Sequence, residues 1–203
     1  MTTSDTTRRL RGEYAKSAQR RKEIIAAAVE VFSESGFRDG SLRTVAERAG
    51  MTHAGMRHHF PTKVDLLEAV LQWREEDALE RARRGHPVGI DVIRAWVDSV
   101  RENTGTPALV ELEAILAAEA ISSDHPAHKY FSDLYLRAED LLTKAFTTMA
   151  DRGELRAEIS PDVAARLLLS TTLGLQSLWL RKRSIDIAAE LRTYTSVLLT
   201  VEL

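Results

Sequence analysis

The sequence has no cysteine and few residues that interrupt helices. Without cysteine, disulfides, thiolate metal sites and cysteine nucleophiles are excluded, and a reducing cytoplasm is the expected compartment. The 203 residues include only five prolines and ten glycines, whereas Leu, Ala, Glu and Arg are abundant. No alternation of polar and apolar residues and no Asn-Gly turn indicates a strand or a hairpin. This composition favours helix almost throughout, so we expect an all-α protein.

The chain also lacks a long apolar run and an apolar leader. No stretch of about 18 consecutive apolar residues occurs, so we expect no membrane-spanning helix and no membrane partner. The first residues, MTTSDTTRRLRGEY, are polar, unlike a signal peptide. They include Arg8, Arg9 and Arg11, and we expect residues 1–18 to form a flexible basic arm.

The net charge of −2 conceals a difference between the two parts of the chain. Residues 1–65 carry 12 Lys and Arg against 8 Asp and Glu, a net of +4. Residues 66–203 carry 16 against 22, a net of −6. A basic N-terminal part is suited to a polyanion, although an excess of this size also arises by chance. The basic excess supports DNA binding only if a DNA-binding motif lies within this N-terminal part.

Such a motif is predicted between residues 41 and 63. Ser41 is a good N-cap for a short helix, which Gly50 ends because glycine adopts the left-handed conformation without steric cost. Thr52 then caps a second short helix, which Pro61 stops. Two short helices joined by a glycine turn are typical of a helix-turn-helix, whose second helix enters the DNA major groove.

Apolar spacing and helix signals predict about nine helices in all. The helix that begins at Lys63 is long and is expected to bridge two domains, a helix-turn-helix DNA-binding domain over 19–65 and a second domain over 66–203. The expected helices cover about 17–35, 42–49, 53–60, 63–84, 90–103, 107–121, 126–152, 160–183 and 185–200.

About residues 20–71 resemble the N-terminal domain of the tetracycline-repressor (TetR) family. The matching features, in order and spacing, are an AAxxVFxExGF start, the segment SLRTVAERAGMT, an HF-P-x-K junction and the continuation LLEAVL. A later segment, GLQSLWL, looks like the C-terminal core of the family. The resemblance implies a homodimeric transcription regulator, usually a repressor, that binds double-stranded operator DNA. It also implies release by a small-molecule effector bound to a C-terminal ligand-binding and dimerisation domain.

The resemblance also implies which residues meet DNA. Thr52 takes the place of the cap of the recognition helix and Lys63 that of a lysine at the start of the next helix, and both are expected to contact phosphates. Two positions depart from the common pattern, with Gly55 in place of a small hydroxyl residue and Arg57 in place of a tyrosine. Gly55 could allow close approach to DNA, and Arg57 could contact either a guanine edge or a phosphate. The implied DNA-binding residues are Arg43, Thr44, Thr52, His53, Gly55, Arg57, His58 and Lys63.

The last two helices are expected to form the dimer interface. The helix around Gly174 is apolar or small on nearly every side, and such a helix needs partners on more than one face. If each subunit contributes its last two helices to a four-helix bundle, the apolar faces of both helices are buried. The alternative is that the helix around Gly174 is an intramolecular core helix. The predicted interface residues are Leu167, Ser170, Gly174, Leu178, Leu191, Tyr194 and Leu198.

A ligand pocket is expected among aromatic and apolar residues of the second domain, since such sites have apolar walls and a few polar groups. The alternative is that these side chains are ordinary core. Glu113 could anchor a polar or cationic ligand, or pair with an arginine. The candidate pocket residues are Trp73, Trp96, Leu112, Glu113, Leu116, Phe131, Tyr135, Gln176 and Trp179.

Other function classes have weaker support in the sequence. No glycine-rich phosphate loop, nucleophile elbow or HExxH motif is present, so we expect neither an enzyme nor a cofactor. Asp124, His125 and His128 lie close together, but three ligands at that spacing without a distant fourth favour a helix start over a metal site. The remaining alternative is a helix-turn-helix dimer without ligand sensing, an architectural or constitutive regulator.

Overall fold

The computed structural model describes the backbone of residues 3–82 and 87–203 and the side chains of residues 16–75 and 87–203. Within those ranges it has nine α-helices and no strand, as predicted. The chain divides into two compact units, Met1–Asp77 and Ala78–Leu203. The helices are α1 (Thr3–Asp39), α2 (Leu42–Arg48), α3 (His53–His59), α4 (Lys63–Ala82), α5 (Ile90–Asn103), α6 (Pro107–Glu119), α7 (His128–Asp151), α8 (Pro161–Arg181) and α9 (Ile187–Leu198).

The first helix begins much earlier than predicted. The backbone is helical from Thr3, so the expected flexible arm over 1–18 is wrong for residues 3–18. This segment contains no proline and only one glycine, and helix-forming residues continue from it into α1 without interruption. A kink follows at Gly36, whose φ of 71° lies in the left-handed region. The side chains of Arg8, Arg9 and Arg11 fall outside the described residues.

The helix-turn-helix forms as the capping residues predict. The Ser41 hydroxyl accepts a hydrogen bond from the backbone N–H of Thr44 at 3.1 Å and thereby caps α2. Gly50 has a φ of 64°, which turns the chain towards α3. The Thr52 hydroxyl then accepts from the backbone N–H of Gly55 at 3.1 Å and caps α3.

Buried apolar residues hold the N-terminal unit together. Ile24, Ala28 and Phe32 lie at four-residue intervals on α1, and all three are fully buried. The start of α4 is also buried in this unit, so the boundary between units lies inside α4, later than the predicted end of the domain at residue 65. The other fully or almost fully buried residues are Val31, Val45, Ala46, Met56, Phe60, Leu66, Leu67 and Val70.

The C-terminal unit has one core cluster drawn mainly from α5, α7, α8 and α9. After α7, the chain passes Gly153 at a φ of 71° and pairs Leu155 with Leu199 in an isolated antiparallel bridge. This bridge fixes the end of α9 beside the end of α7. The fully buried members of the cluster include Ile93, Val97, Leu142, Phe146, Met149, Ala164, Ala165, Leu168 and Leu191.

One helix of this unit, α8, is long and apolar enough to cross a membrane by length and composition alone. Its most apolar window has a mean hydropathy of 1.2 and is only 28% buried. One such helix is weak evidence for a membrane span, because a helix that packs in a core or against another chain passes the same measure. Part of the apolar surface of α8 is therefore left uncovered by its own unit.

Candidate DNA-binding surface and C-terminal sites

The outer face of α3 carries three exposed basic or titratable side chains. His53, Arg57 and His58 are exposed, and within the described residues none of them donates or accepts a side-chain hydrogen bond or forms an ion pair. On the opposite face Met56 is fully buried, and Phe60 closes the helix end with 1% exposure. The helix is therefore anchored by one face and presents the other to solvent.

Gly55 has a local role at the start of α3. A Cβ at this position would lie 3.2 Å from the Thr52 hydroxyl oxygen and 3.6 Å from the terminal methyl carbon of Met51. The first distance is tighter than an ordinary contact, and the oxygen concerned is the one that caps α3. Glycine therefore leaves the cap unobstructed, and close approach of DNA at Gly55 stays a prediction.

The start of α2 presents a weakly engaged arginine. Arg43 contacts Glu47 at 3.1 Å, and these side chains are 81% and 65% exposed. An exposed pair of this kind contributes about 0–1 kcal/mol to stability, so the guanidinium can exchange its partner for a phosphate. The neighbouring Thr44 hydroxyl lies 2.8 Å from that of Ser41, so it belongs to the cap of α2.

Lys63 does not present its ammonium as the resemblance implies. Its Nζ donates to the backbone carbonyls of Phe37 at 2.6 Å, Arg38 at 3.0 Å and Gly40 at 2.9 Å. An ammonium has three N–H donors, so this set uses all of them. In this geometry the cation caps carbonyls between α1 and α2, and the phosphate contact expected of Lys63 stays a prediction.

Two arginines missed by the sequence analysis hold α2 and α3 against α1. Arg48 forms a bidentate pair with Glu34, with N–O distances of 2.6 and 2.8 Å, and its hydrogen bond lowers the pKa of that carboxyl. Arg21 donates to the carbonyl of His59 at 3.3 Å and lies 4.2 Å from the ring centroid of Phe60. Charge counts alone give no signal for such roles, because a cation used in packing counts the same as one facing DNA.

The candidate pocket residues separate into two groups in the C-terminal unit. Trp179 belongs to the core cluster, and Trp96 packs against that cluster while its indole N–H donates to the Thr172 hydroxyl at 3.0 Å. Phe131 and Tyr135 form the other group, with ring centroids 6.1 Å apart. Both tryptophans therefore take part in core packing.

The Tyr135 group also contains the predicted acid. Burial, and then the nearby negative charge of Glu113, raise the pKa of Tyr135 to about 12. Leu112 is 4% exposed and Leu116 is fully buried on the same helix as Glu113. The phenol of Tyr135 thus lies within electrostatic reach of a carboxylate on a helix that also carries buried apolar side chains, and such a mixture is the composition expected of a small-molecule site.

A hollow of about 480 Å³ lies elsewhere in this unit. Trp179 lines it together with Arg101, Arg183 and the start of α9, while the remaining candidate pocket residues do not. The guanidinium of Arg183 stacks 3.9 Å from the ring centroid of Trp179. Trp73 belongs to the N-terminal unit, and Gln176 is partly buried on α8.

The predicted dimer residues divide between surface and core. On α8, Leu167 is 39% exposed and Leu178 is 54% exposed, and a Cβ at Gly174 would meet nothing within 4 Å. With Val163 and Ser170 they form a continuous exposed row at intervals of three or four residues, which we call the α8 stripe.

On α9 the prediction for two leucines is wrong. Leu191 is fully buried and Leu198 is 4% exposed, and both belong to the core cluster of their own unit. Tyr194 packs against that cluster and is partly buried. Val197 is the exposed large apolar residue of α9, and Val201, beyond the end of that helix, is also exposed. The larger side chains thus fill the intramolecular core.

The histidines before α7 are engaged in the local backbone. His125 is buried, and its Nδ1 accepts from the backbone N–H of Ala127 at 3.2 Å. His128 Nδ1 donates to the carbonyl of Ala120 at 2.8 Å, and the Ser122 hydroxyl bonds the carboxylate of Asp124. No group of three or more metal-ligand side chains occurs in the part of the chain that the structure describes. These contacts favour the helix-start interpretation.

Comparison with known proteins finds similarity to bacterial transcriptional regulators. Residues 24–70 match the model for bacterial regulatory proteins of the tetR family. The HTH-type transcriptional regulator UidR of Escherichia coli K12 is 28% identical over 159 residues, which cover 76% of this chain and 78% of UidR. The HTH-type transcriptional repressor BepR of Brucella suis is 25% identical over 178 residues, covering 84% and 85%. The solved SmeT–triclosan complex shares the fold, with a TM-score of 0.67 at 23% identity over 88% of this chain and 89% of that one. Residues 24–70 therefore match the DNA-binding domain of the tetR family, and most of the chain is similar to bacterial HTH-type transcriptional regulators.

Proposed function

We propose that this protein is a homodimeric repressor that binds double-stranded operator DNA in the cytoplasm and is released by a small-molecule effector. The observation that carries the proposal is the outer face of α3, where Arg57 is exposed and unpaired among the described residues. We propose no catalytic role. A repressor among the relatives, BepR, supports the direction of regulation.

DNA binding rests on the division of α3 into a buried and a presented face. Met56 and Phe60 fix the helix, while His53, Arg57 and His58 are available to a groove. Base edges carry sequence information and phosphates carry affinity, and Arg57 has the geometry for either. Arg43, at the start of α2, supplies a second cation, which pairs with an exposed glutamate within the described residues.

Dimerisation rests on the α8 stripe. Its exposed apolar residues would be unusual on a chain that stays monomeric, and two stripes pack if α8 pairs with its copy around a two-fold axis. Gly174 and Ser170 are small enough for the two helices to approach closely at the middle of the stripe. A dimer also presents two α3 helices to successive half-sites, as helix-turn-helix proteins require.

Effector binding rests on the Tyr135 group. A phenol near a carboxylate, on helices that also carry buried apolar side chains, suits a small, largely apolar molecule with one hydrogen-bonding or cationic group. SmeT, which shares the fold, has been solved with triclosan. Triclosan is therefore the first compound to test on this chain.

Three measurements on the purified protein test these parts separately. Selection of duplexes from a randomised pool should enrich one sequence with two-fold symmetry, and an unenriched pool would contradict operator binding. Sedimentation equilibrium should give a dimer. A thermal shift screen that begins with triclosan and simple phenols should raise the Tm, and an active compound should lower affinity for the selected duplex.

A specific observation favours one alternative, a helix-turn-helix dimer without ligand sensing. Trp96 and Trp179 are used in packing, and the hollow beside Trp179 does not include the Tyr135 group. Under this alternative the selected duplex and the dimer would be found, but no compound would change DNA affinity. Replacement of Tyr135 by Phe would then also leave the screen unchanged.

A further inference from the structure

We propose that His58 makes DNA binding dependent on pH, because its imidazole takes up a proton when the last turn of α3 meets a DNA phosphate. This inference rests on the proposed DNA-binding function and adds a means of regulation to the same surface. Affinity for the operator should therefore be high in mildly acidic solution and should fall as the pH rises through neutrality.

His58 is a histidine that the fold leaves available to a partner. It lies in the last turn of α3 and is exposed, whereas Met56 on the opposite side of the helix is fully buried. Within the described residues its imidazole forms no hydrogen bond and no ion pair. An exposed imidazole changes charge between about pH 5 and 8, so the charge it carries responds to the groups that lie next to it.

The charged groups of the neighbouring helices with described contacts have partners other than His58. Arg21 of α1 donates to the backbone carbonyl of His59, and Asp65 of α4 accepts from the backbone N–H and the hydroxyl of Thr62. The remaining contacts join Arg43 to Glu47, Arg48 to Glu30 and Glu34, and Lys63 to carbonyls of the turn before α2. No acid in the described part of the chain lies within ion-pair distance of His58.

The fixed charges at this end of α3 act on the imidazole in opposite directions. The carbonyl end of a helix favours a cation. Arg57 precedes His58 in the chain, and Arg21 lies at the same helix end, 4.2 Å from the ring centroid of Phe60, so both oppose a further positive charge. A phosphate adds a negative charge that favours only the protonated imidazole, and DNA binding is thereby coupled to proton uptake.

His53 is a matched control on the same helix. It is also exposed and without a side-chain partner among the described residues, but it is the first residue of α3. The amide end of a helix disfavours a cation, and the first residues of a recognition helix approach base edges. The last turn, with His58, is expected to lie nearer the phosphates. We therefore expect little of the pH dependence to come from His53.

The test measures affinity by fluorescence anisotropy for the duplex that wild type selects from a randomised pool. Measurements are made at about pH 6, 7 and 8 and at constant ionic strength, because the imidazole changes charge in this range. Each exposed charge pair contributes modestly. With one His58 in each subunit, wild type should bind about tenfold more tightly at the lowest pH than at the highest, about 1.4 kcal/mol.

Glutamine keeps a polar side chain but does not titrate, so His58→Gln should remove most of this pH dependence and His53→Gln should keep it. The other histidines contribute equally to wild type and to both variants, so the comparison isolates His58. The salt dependence gives a second readout. At the lowest pH the salt slope of wild type should be steeper by about one for each His58, because each new cation displaces one more counterion. In His58→Gln the slope should be the same at every pH.

Three results would overturn the inference while DNA binding stands. These are a selected duplex that wild type binds equally at every pH, a pH dependence that persists in His58→Gln, and a pH dependence that is lost in His53→Gln. If wild type selects no duplex at any pH, the proposed function and this inference fail together. A pH dependence and a pH-dependent salt slope that both disappear in His58→Gln alone would support the inference.

Discussion

Replacement of Leu178 by alanine should weaken dimerisation, whereas replacement of Leu191 by alanine should weaken folding. Leu178 lies on the α8 stripe and is 54% exposed, whereas Leu191 on α9 is fully buried in its own unit. The sequence alone placed both in the dimer interface. The two variants therefore separate a surface that pairs with a second copy from a core that folds one chain.

The expected magnitudes follow from these exposures. Full burial of a leucine is worth about 1.5–3 kcal/mol, so covering the exposed half of Leu178 in both subunits is worth about 2–3 kcal/mol per dimer. Leu178→Ala should weaken the dimer by on the order of 10- to 100-fold. Leu191→Ala should instead lower the free energy of unfolding by about 2–5 kcal/mol through the cavity it leaves.

Sedimentation equilibrium measures the first effect and urea denaturation the second. Because dimerisation adds to apparent stability, the denaturation is repeated at two protein concentrations. Only a change in the free energy of unfolding that is the same at both concentrations is attributed to the core. A wild-type dimer constant in Leu178→Ala would remove the α8 stripe from the interface. An unchanged unfolding midpoint in Leu191→Ala would contradict its place in the core.

Three other outcomes concern α3 and the Tyr135 group. Arg57→Ala should lower the salt slope by about one per subunit if the residue meets a phosphate, or should cost about 1–3 kcal/mol of discrimination at one base pair if it meets a guanine. Binding to duplexes with single base changes separates these results, and no effect on either would remove Arg57 from the interface. Thr52→Ala should lower the free energy of unfolding by about 1 kcal/mol in urea denaturation because it removes the cap of α3. The raised pKa of Tyr135 favours the neutral phenol in the folded state, so its contribution to stability should be complete below pH 10 and lost as pH rises towards about 12. Ultraviolet titration of wild type and Tyr135→Phe should show one late-ionising tyrosine that the variant lacks.

The features that sequence predicted well are those that local chemistry decides. Ser41 and Thr52 accept the expected N–H bonds, and Gly50 has the expected positive φ. Each of these depends on residues no more than three positions away. The order of helices in both units follows for the same reason, because apolar spacing and helix stops act within single segments.

The features that sequence predicted poorly depend on contacts between segments. α9 has two apolar sides, and spacing alone does not tell which side meets its own core. The structure places Leu191 and Leu198 inside and leaves Val197 exposed, so the larger side chains fill the space beside α5 and α8. The start of α1 was misjudged for a different reason, since polarity suggested an arm where no helix breaker was present.

The charge of the N-terminal unit shows how far a net value can mislead about partners. Arg48 is held by Glu34, Arg21 by the end of α3, and Lys63 by the turn before α2, so three cations stabilise the unit that presents α3. The charges of Arg21 and Lys63 still contribute to the long-range field that attracts DNA, because neither a carbonyl nor an aromatic ring neutralises a cation, whereas Glu34 offsets the charge of Arg48. They differ from Arg57 in what they do at contact, since each already donates to groups of its own unit. A net charge therefore indicates whether a unit attracts a polyanion, whereas only the hydrogen-bond partners indicate which cations remain to bind it.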